Sequence, residues 1–317
     1  MSGEPILAHN DFAMKGKSMR KGIIALISMM SVLVGVELEV RSTTIGDVGS
    51  AKQMRVSYIK GTEIKQGRSA VYDEDGHLLE QSHYINGRKE GREMKYSAEG
   101  DVLLDANYKN NKLEGLAQEF YPQNILKSEI TYSEGKIIGK AKWYHENGAL
   151  AKEADYIDGM PEGKVIEYYD NGKVSRQYTY KQGKIEGISK GFFKNGKIAE
   201  LVTYRDGLKN GDMKQYDENG IVRLESSFEN NEKVGRERTF DSAGKMTSQR
   251  IYGTGTPRRV EVSWFYPNGK LKLEMLYENN QAIWQKEYNE NGEITSKLDC
   301  QAQNCLPGLS DVNAGAN

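Results

Sequence analysis

Hydrophobic and polar residues alternate with period two in short runs along most of this chain, the pattern of strands buried on one side. Glycine punctuates the runs on a fixed beat. Gly67, Gly91, Gly115, Gly139, Gly163, Gly187, Gly211 and Gly235 stand 24 residues apart. Five residues after each comes an aromatic: Tyr72, Tyr96, Phe120, Tyr144, Tyr168, Phe192, Tyr216 and Phe240. Seventeen residues after each comes another: Tyr84, Tyr108, Tyr132, Tyr156, Tyr180, Tyr204, Phe228 and Tyr252. Eight registers in succession without an insertion mark an internal repeat. A degenerate unit around Tyr58 and Gly61 precedes them. A ninth, shifted by one residue, carries Phe265, Gly269 and Tyr277, and a partial tenth holds Tyr288 and Gly292.

Each unit also contains two turn positions. Between the aromatics sits Gly76, Gly100, Asn124, Gly148, Gly172, Gly196, Gly220 or Gly244. After the second aromatic comes Gly87, Asn111, Gly135, Gly159, Gly183, Gly207, Asn231 or Gly255. Where Gly gives way, Asn replaces it, and Asn is the other residue that best tolerates positive φ. Each repeat should therefore reverse twice through a left-handed residue. Asn147, Asn171, Asn195 and Asn219 directly precede a turn glycine, a strong hairpin signal. Leu78, Val102, Leu126, Leu150, Val174, Ile198, Val222 and Met246 lie six residues before the second aromatic, which predicts one shared apolar face. Positions such as 81 and 83 are mostly polar and predict a wet opposite face. No stretch of helical period and length occurs within residues 60–298. The expected fold is all-β: an elongated, twisted, open antiparallel array of about nine to ten 24-residue β-hairpin repeats over residues 55–298. The irregular first unit and the tail would protect its open ends.

The N-terminus has a different plan. Lys15, Lys17, Arg20 and Lys21 precede an apolar run from Ile23 to Val36, the layout of an export signal. Residues 1–22 are thus a basic N-terminal region, 23–40 a signal peptide or membrane anchor, 41–54 a linker and 299–317 a tail. Val40 and Ser42 could flank a cleavage site, although Glu37, Glu39 and Arg41 make a poor one. The expected location is periplasmic or elsewhere in the cell envelope, with an inner-membrane anchor through residues 23–40 if the segment is retained. Cys300 and Cys305, in the tail, could close a small disulfide loop in an oxidising compartment. A lone pair of cysteines is not a metal site, and no metal or other cofactor is expected.

The unit Gly163-Tyr168-Gly172-Tyr180-Gly183-Gly187 resembles the MORN repeat in its variant form. The commoner form would show a Gly-x-Gly start and a Tyr-x-Gly-x-Trp core, and this chain has neither. The resemblance covers about residues 55–298. It implies an elongated β-hairpin sheet used as a scaffold for protein binding, with no catalytic motif to carry over. Bacterial proteins of this variant branch, which the unit resembles, are often labelled YwqK-like antitoxins.

Charge narrows the function further. The chain holds 44 Lys and Arg against 45 Asp and Glu, well mixed, so no basic stripe for nucleic acid exists. His77, His83 and His145 occupy unrelated repeat positions and read as solvated, and acid pairs such as Glu167 and Asp170 recur across repeats. An enzyme is therefore not expected. Three tryptophans break the repeat: Trp143, Trp264 and Trp284. Trp143 takes the position of Val71, Lys95, Glu119 and Glu167, so alternation sends it to the wetter face as a candidate binding anchor. The repeat aromatics are expected to be mainly structural. The function expected is a non-catalytic, exported or membrane-tethered scaffold that binds a protein or an envelope polymer. The alternative, from the resemblance, is an antitoxin or immunity protein that neutralises a partner toxin.

Overall fold

The structure, a computed structural model, describes residues 36–45, 52–302 and 305. Twenty-five strands form one antiparallel sheet, each pairing with its neighbours in sequence. Three of them, Arg88–Lys89, Lys112–Leu113 and Lys184–Ile185, are two-residue leading ends of the strands that follow. Of the expected signal segment, residues 23–35 lie outside the described residues. The described parts of the stretch expected to be a linker, residues 41–45 and 52–54, are strand. Leu38–Ile45 pairs residue for residue with Lys52–Ile59 and adds a hairpin to the sheet. At the other end Cys300 and Cys305 are disulfide-bonded, and Cys305 packs under Val260, Val262, Met275 and Tyr277.

Both expected turns are present, and they differ. In the hairpin of Lys65–Tyr72 and Leu78–Ile85, Asp73 N donates to His77 O at 3.0 Å and Gly76 N to Asp73 O at 3.2 Å. Gly76 has φ 89°, so this is a turn closed by a left-handed glycine bulge. At the opposite edge Asn86 and Gly87 are both left-handed, φ 50° and 78°, the two-residue turn that suits strand twist. The substituting asparagines behave as expected: Asn111, Asn124 and Asn231 have φ 68°, 59° and 71°. A third left-handed site appears at the leading glycine of each repeat. Gly163, φ 80°, faces Tyr180 on one side. On its other side the register jumps, pairing Ala154 with Val165 but Asp155 with Glu162. The glycine thus sits in a bulge, which bends the strand.

These irregularities decide which side chains share a face. One row of directly paired residues runs across the sheet and is almost wholly buried, including Ala141, Ala154, Val165, Tyr178, Val202, Met213 and Ser226. The second aromatics pack on this core face, Tyr156 and Tyr180 against Ala154 and Val165, Tyr204 and Phe228 against Val202. The first aromatics stand on the outer face. Tyr168 donates to Glu153 at 3.2 Å and Tyr288 to Glu274 at 2.6 Å, and both acceptors alternate with core-row residues. Tyr168 also pairs directly with Val174 across a slip after Glu167. The Val174 set therefore accompanies the first aromatics, not the second, contrary to simple alternation. Each face carries an aromatic row.

Both edges of the array are laced from repeat to repeat. Tyr121, His145 and Tyr169 reach the carbonyls of Tyr144, Tyr168 and Phe192 at 3.2, 2.9 and 2.6 Å. At the other edge Glu90, Glu114, Glu162 and Glu186 accept from the turn N–H of Asn110, Glu134, Gln182 and Asp206 at 2.6–2.9 Å. Carboxylates that satisfy orphan backbone donors in this way explain why acids recur in the repeat.

Candidate functional site

The middle of the core face carries a run of aromatic and charged side chains. Trp143, in Lys136–Tyr144, projects onto this face and not onto the wetter one. Residues 139, 141 and 143 share a face, and Ala141 belongs to the buried row. Its ring lies 6.4 Å from that of Tyr156 and packs on the Ala154, Val165 and Tyr178 cluster. Directly across from Trp143 is Lys152, whose ammonium sits 5.4 Å from the indole centre. Lys152 faces Glu167 at 3.9 Å, and Glu167 accepts from the Tyr178 hydroxyl at 2.8 Å. Burial, then the Glu167 carboxylate, pushes the Tyr178 phenol well above its usual range, so it remains a donor.

The next member of the row, Arg176, is exposed and makes no ion pair among the described residues. Opposite it stands Gly191, where other repeats carry a side chain, and beyond Gly191 stands Glu200. A Cβ on Gly191 would meet Glu200 Cβ at 3.5 Å, so the glycine opens a shallow notch without being required by its backbone. The result is a strip: indole, ammonium, carboxylate, guanidinium, notch. Stacking and charge-assisted hydrogen bonds are what it can offer a ligand.

The other tryptophans do not join it. Trp264 shares the core face but packs against the Val262 and Met275 cluster, ten strand spacings away, on the order of 48 Å. Trp284 pairs with Leu276 on the outer face, with the Lys286 ammonium 4.6 Å from its ring centre. The histidines remain separate too. His77 Nδ1 lies 3.0 Å from Asp73, His83 is exposed, and His145 belongs to the edge ladder. Asp73, Asp75 and His77 bring donor atoms within 4.8 Å of one another, but Asp73 already accepts from His77 N at 2.8 Å. Asp217 and Asp241 bind their own turns in the same way.

Two buried charged groups escaped notice in the sequence. Glu93 and Glu237 occupy the core row, 1% and 2% exposed. Glu93 is held by Lys89 at 2.6 Å, and Glu237 by Lys233, by Arg250 at 2.6 Å and by the Tyr252 hydroxyl at 3.3 Å. Burial pushes both carboxyls up, but their cationic neighbours outweigh it and hold them below the usual range. Burial, then Glu237, pushes Tyr252 up to about 12. The signal was available: the position two after the leading glycine reads Ser, Ala, Val or Met elsewhere and Glu only here.

A family model described as the MORN repeat variant matches residues 65–86, 113–134, 138–158, 161–182, 185–206, 209–230 and 260–279. These seven hairpins are MORN repeat variants. The matched segments each contain a second aromatic and the first left-handed residue of the turn after it, and three of them carry the strip from Trp143 to Glu200. No curated protein matches this chain. Among solved structures, TcdB2-TccC3 without its hypervariable C-terminal region is 11% identical over 84% of this chain, with TM-score 0.18. TcdB2-TccC3-TEV is 13% identical over 83%, with TM-score 0.13. The chain spans 18% and 20% of those two chains. MORN repeats serve generally as scaffolds for protein or membrane binding, and this repeat array shares that construction.

Proposed function

We propose that this MORN-variant chain is a non-catalytic, membrane-tethered scaffold, facing the cell envelope, that binds an extended protein segment along the core-face strip. The observation that carries the reading is the run Trp143, Lys152, Glu167, Arg176 beside the Gly191 notch, with a free guanidinium next to an aromatic shelf. Aromatic and arginine side chains dominate binding energy at protein interfaces. The tether is supported by the first strand. Cleavage after Ser42 would remove five of the eight residues of Leu38–Ile45, so a retained segment leaves the sheet whole.

The test is cross-linked capture from intact cells with the full chain, its Trp143→Ala variant and its Arg176→Ala variant. Loss of a hot spot worth about 2 kcal/mol weakens capture roughly 30-fold. Arg176→Ala should show this with unchanged circular dichroism, since Arg176 holds nothing in the fold. Equal capture by both variants would dismiss the strip. Recovery of glycan in place of protein would assign the strip to an envelope polymer. A toxin as the captured protein would make the scaffold an immunity protein. Membrane fractionation with N-terminal sequencing tests the tether, and a soluble chain beginning after Ser42 would remove it.

A further inference from the structure

The outer face carries a ladder of ion pairs, and the ladder has a gap. Arg92 meets Asp105 at 2.6 Å, Lys142 meets Glu129 at 3.7 Å and Lys140 meets Glu153 at 3.9 Å. Further along, Lys214 meets Glu225 at 2.9 Å and Arg238 meets the same carboxylate at 3.6 Å. The acids share one repeat position, held by Asp105, Glu129, Glu153 and Glu225. In the two units between, Gln177 and Leu201 take that position. The cations remain. Lys164 and Lys190 are exposed and make no ion pair among the described residues.

The register places the gap. Lys164 pairs with Thr179 and Ile166 with Gln177, on either side of the buried Val165 and Tyr178. Ile188 pairs with Thr203 and Lys190 with Leu201, on either side of the buried Val202. Gln177 pairs with Lys190 and joins the two sets on one face. Lys164 and Lys190 are thus two strand spacings apart across the sheet and two residues apart along it, about 12 Å in all. Ile166 and Ile188 flank the line between them, and Ile188 is 56% exposed. The acids nearest in sequence, Glu162 and Glu186, are each taken up by a turn N–H, of Gln182 and Asp206, at 2.6 and 2.9 Å.

We propose that this gap docks an extended acidic segment of a partner protein, on the face opposite the Trp143 strip. In an extended chain, residues four apart point the same way and lie about 13 Å apart. Two carboxylates at that spacing replace the acids missing at Gln177 and Leu201, and an apolar residue midway covers Ile166 and Ile188. Opposite charges across adjacent strands and segments stabilise their pairing. Glu162, Glu186 and Asp206 stand along the nearby turn edge and oppose a broad anionic surface, whereas two single carboxylates avoid them.

The probe is a dye-labelled peptide, Thr-Glu-Thr-Leu-Thr-Glu-Thr, with its Gln-for-Glu analogue as control, on the full chain in phosphatidylcholine nanodiscs. Fluorescence anisotropy should show the acidic peptide binding and the analogue not, with salt weakening the complex. Lys164→Gln and Lys190→Gln should each weaken binding about threefold, and together about tenfold, with unchanged circular dichroism. Gln177→Glu with Leu201→Glu returns the chain's own acids to the ladder and should weaken binding at least as much. Trp143→Ala and Arg176→Ala, on the core face, should bind the peptide as the unmodified chain does, so the two surfaces stand or fall separately. No binding of the acidic peptide overturns the inference, as does binding that survives in Gln177→Glu/Leu201→Glu. Capture by phosphatidylserine vesicles that is lost in Lys164→Gln/Lys190→Gln, without peptide binding, would make the face a membrane surface and overturn it as well. A concentration-dependent dimer lost in the same double variant would make it a contact between copies, with the same result.

Discussion

Replacing Glu237 with Ala removes the anion from a nearly sealed site and leaves Arg250, with its side chain 12% exposed, facing an empty space. Removing one partner of a buried ion pair costs about 3–5 kcal/mol, because the other charge stays desolvated. The repeat itself supplies the control. One unit upstream the same directly paired positions hold Met213 and Ser226, both buried. The double variant Glu237→Met/Arg250→Ser copies that neutral pair and should recover most of the loss. Stability in a repeat array is local, so hydrogen exchange across Val222–Glu229, Glu232–Phe240 and Met246–Tyr252 is the appropriate assay. A loss of about 4 kcal/mol accelerates exchange on the order of a thousandfold there and little in strands before Gly163. The pH dependence has a definite sign. The folded carboxyl lies below its unfolded value, so its contribution is present above about pH 4.3 and disappears as pH falls through the folded value. Unaltered exchange in Glu237→Ala, or a double variant as labile as the single one, would refute this reasoning.

Other consequences are equally direct. Gly163→Ala should cost about 1–2 kcal/mol in urea unfolding, since its φ is 80° and an added Cβ would meet nothing within 4 Å. Gly191→Ala, at ordinary φ, should cost almost nothing. Tyr252 should ionise near pH 12 in an ultraviolet titration, against about 10 for exposed tyrosine. Its stabilising contribution is therefore complete below pH 10 and lost as pH rises through about 12, and ionisation at 10 in the folded chain would contradict the burial. Glu186→Ala removes the acceptor for Asp206 N, exposed at the turn, and should loosen exchange at that turn by about tenfold.

The repeat length, both turns and the all-β architecture could be read from glycine spacing, because only Gly and Asn occupy left-handed positions cheaply. Asn111, Asn124 and Asn231 showed this before any coordinates. The faces could not be read, and the cause is the bulges. Period-two counting carries through a strand only while every residue has one partner. The slip between Glu167 and Tyr168 turns Val174 to the side of Tyr168, and Trp143 lies with Ala141 and Ala154 instead of on the wet side. A bulge glycine and a turn glycine look alike in sequence, so Gly163 gave no warning of its role. Glu93 and Glu237 were missed for a related reason: their row could not be recognised as buried until its face was known. Leu38–Ile45 was hidden because its pattern merges with the apolar run before it.

Everything above depends on a single open sheet rather than hairpins folded into a compact body. Small-angle X-ray scattering of the chain in contrast-matched detergent measures this most directly. Twenty-two strand passes, counting each two-residue leader with its successor, extend on the order of 100 Å, for a radius of gyration of about 30 Å. A value near 18 Å, that of a compact domain of about 250 residues, would contradict the account.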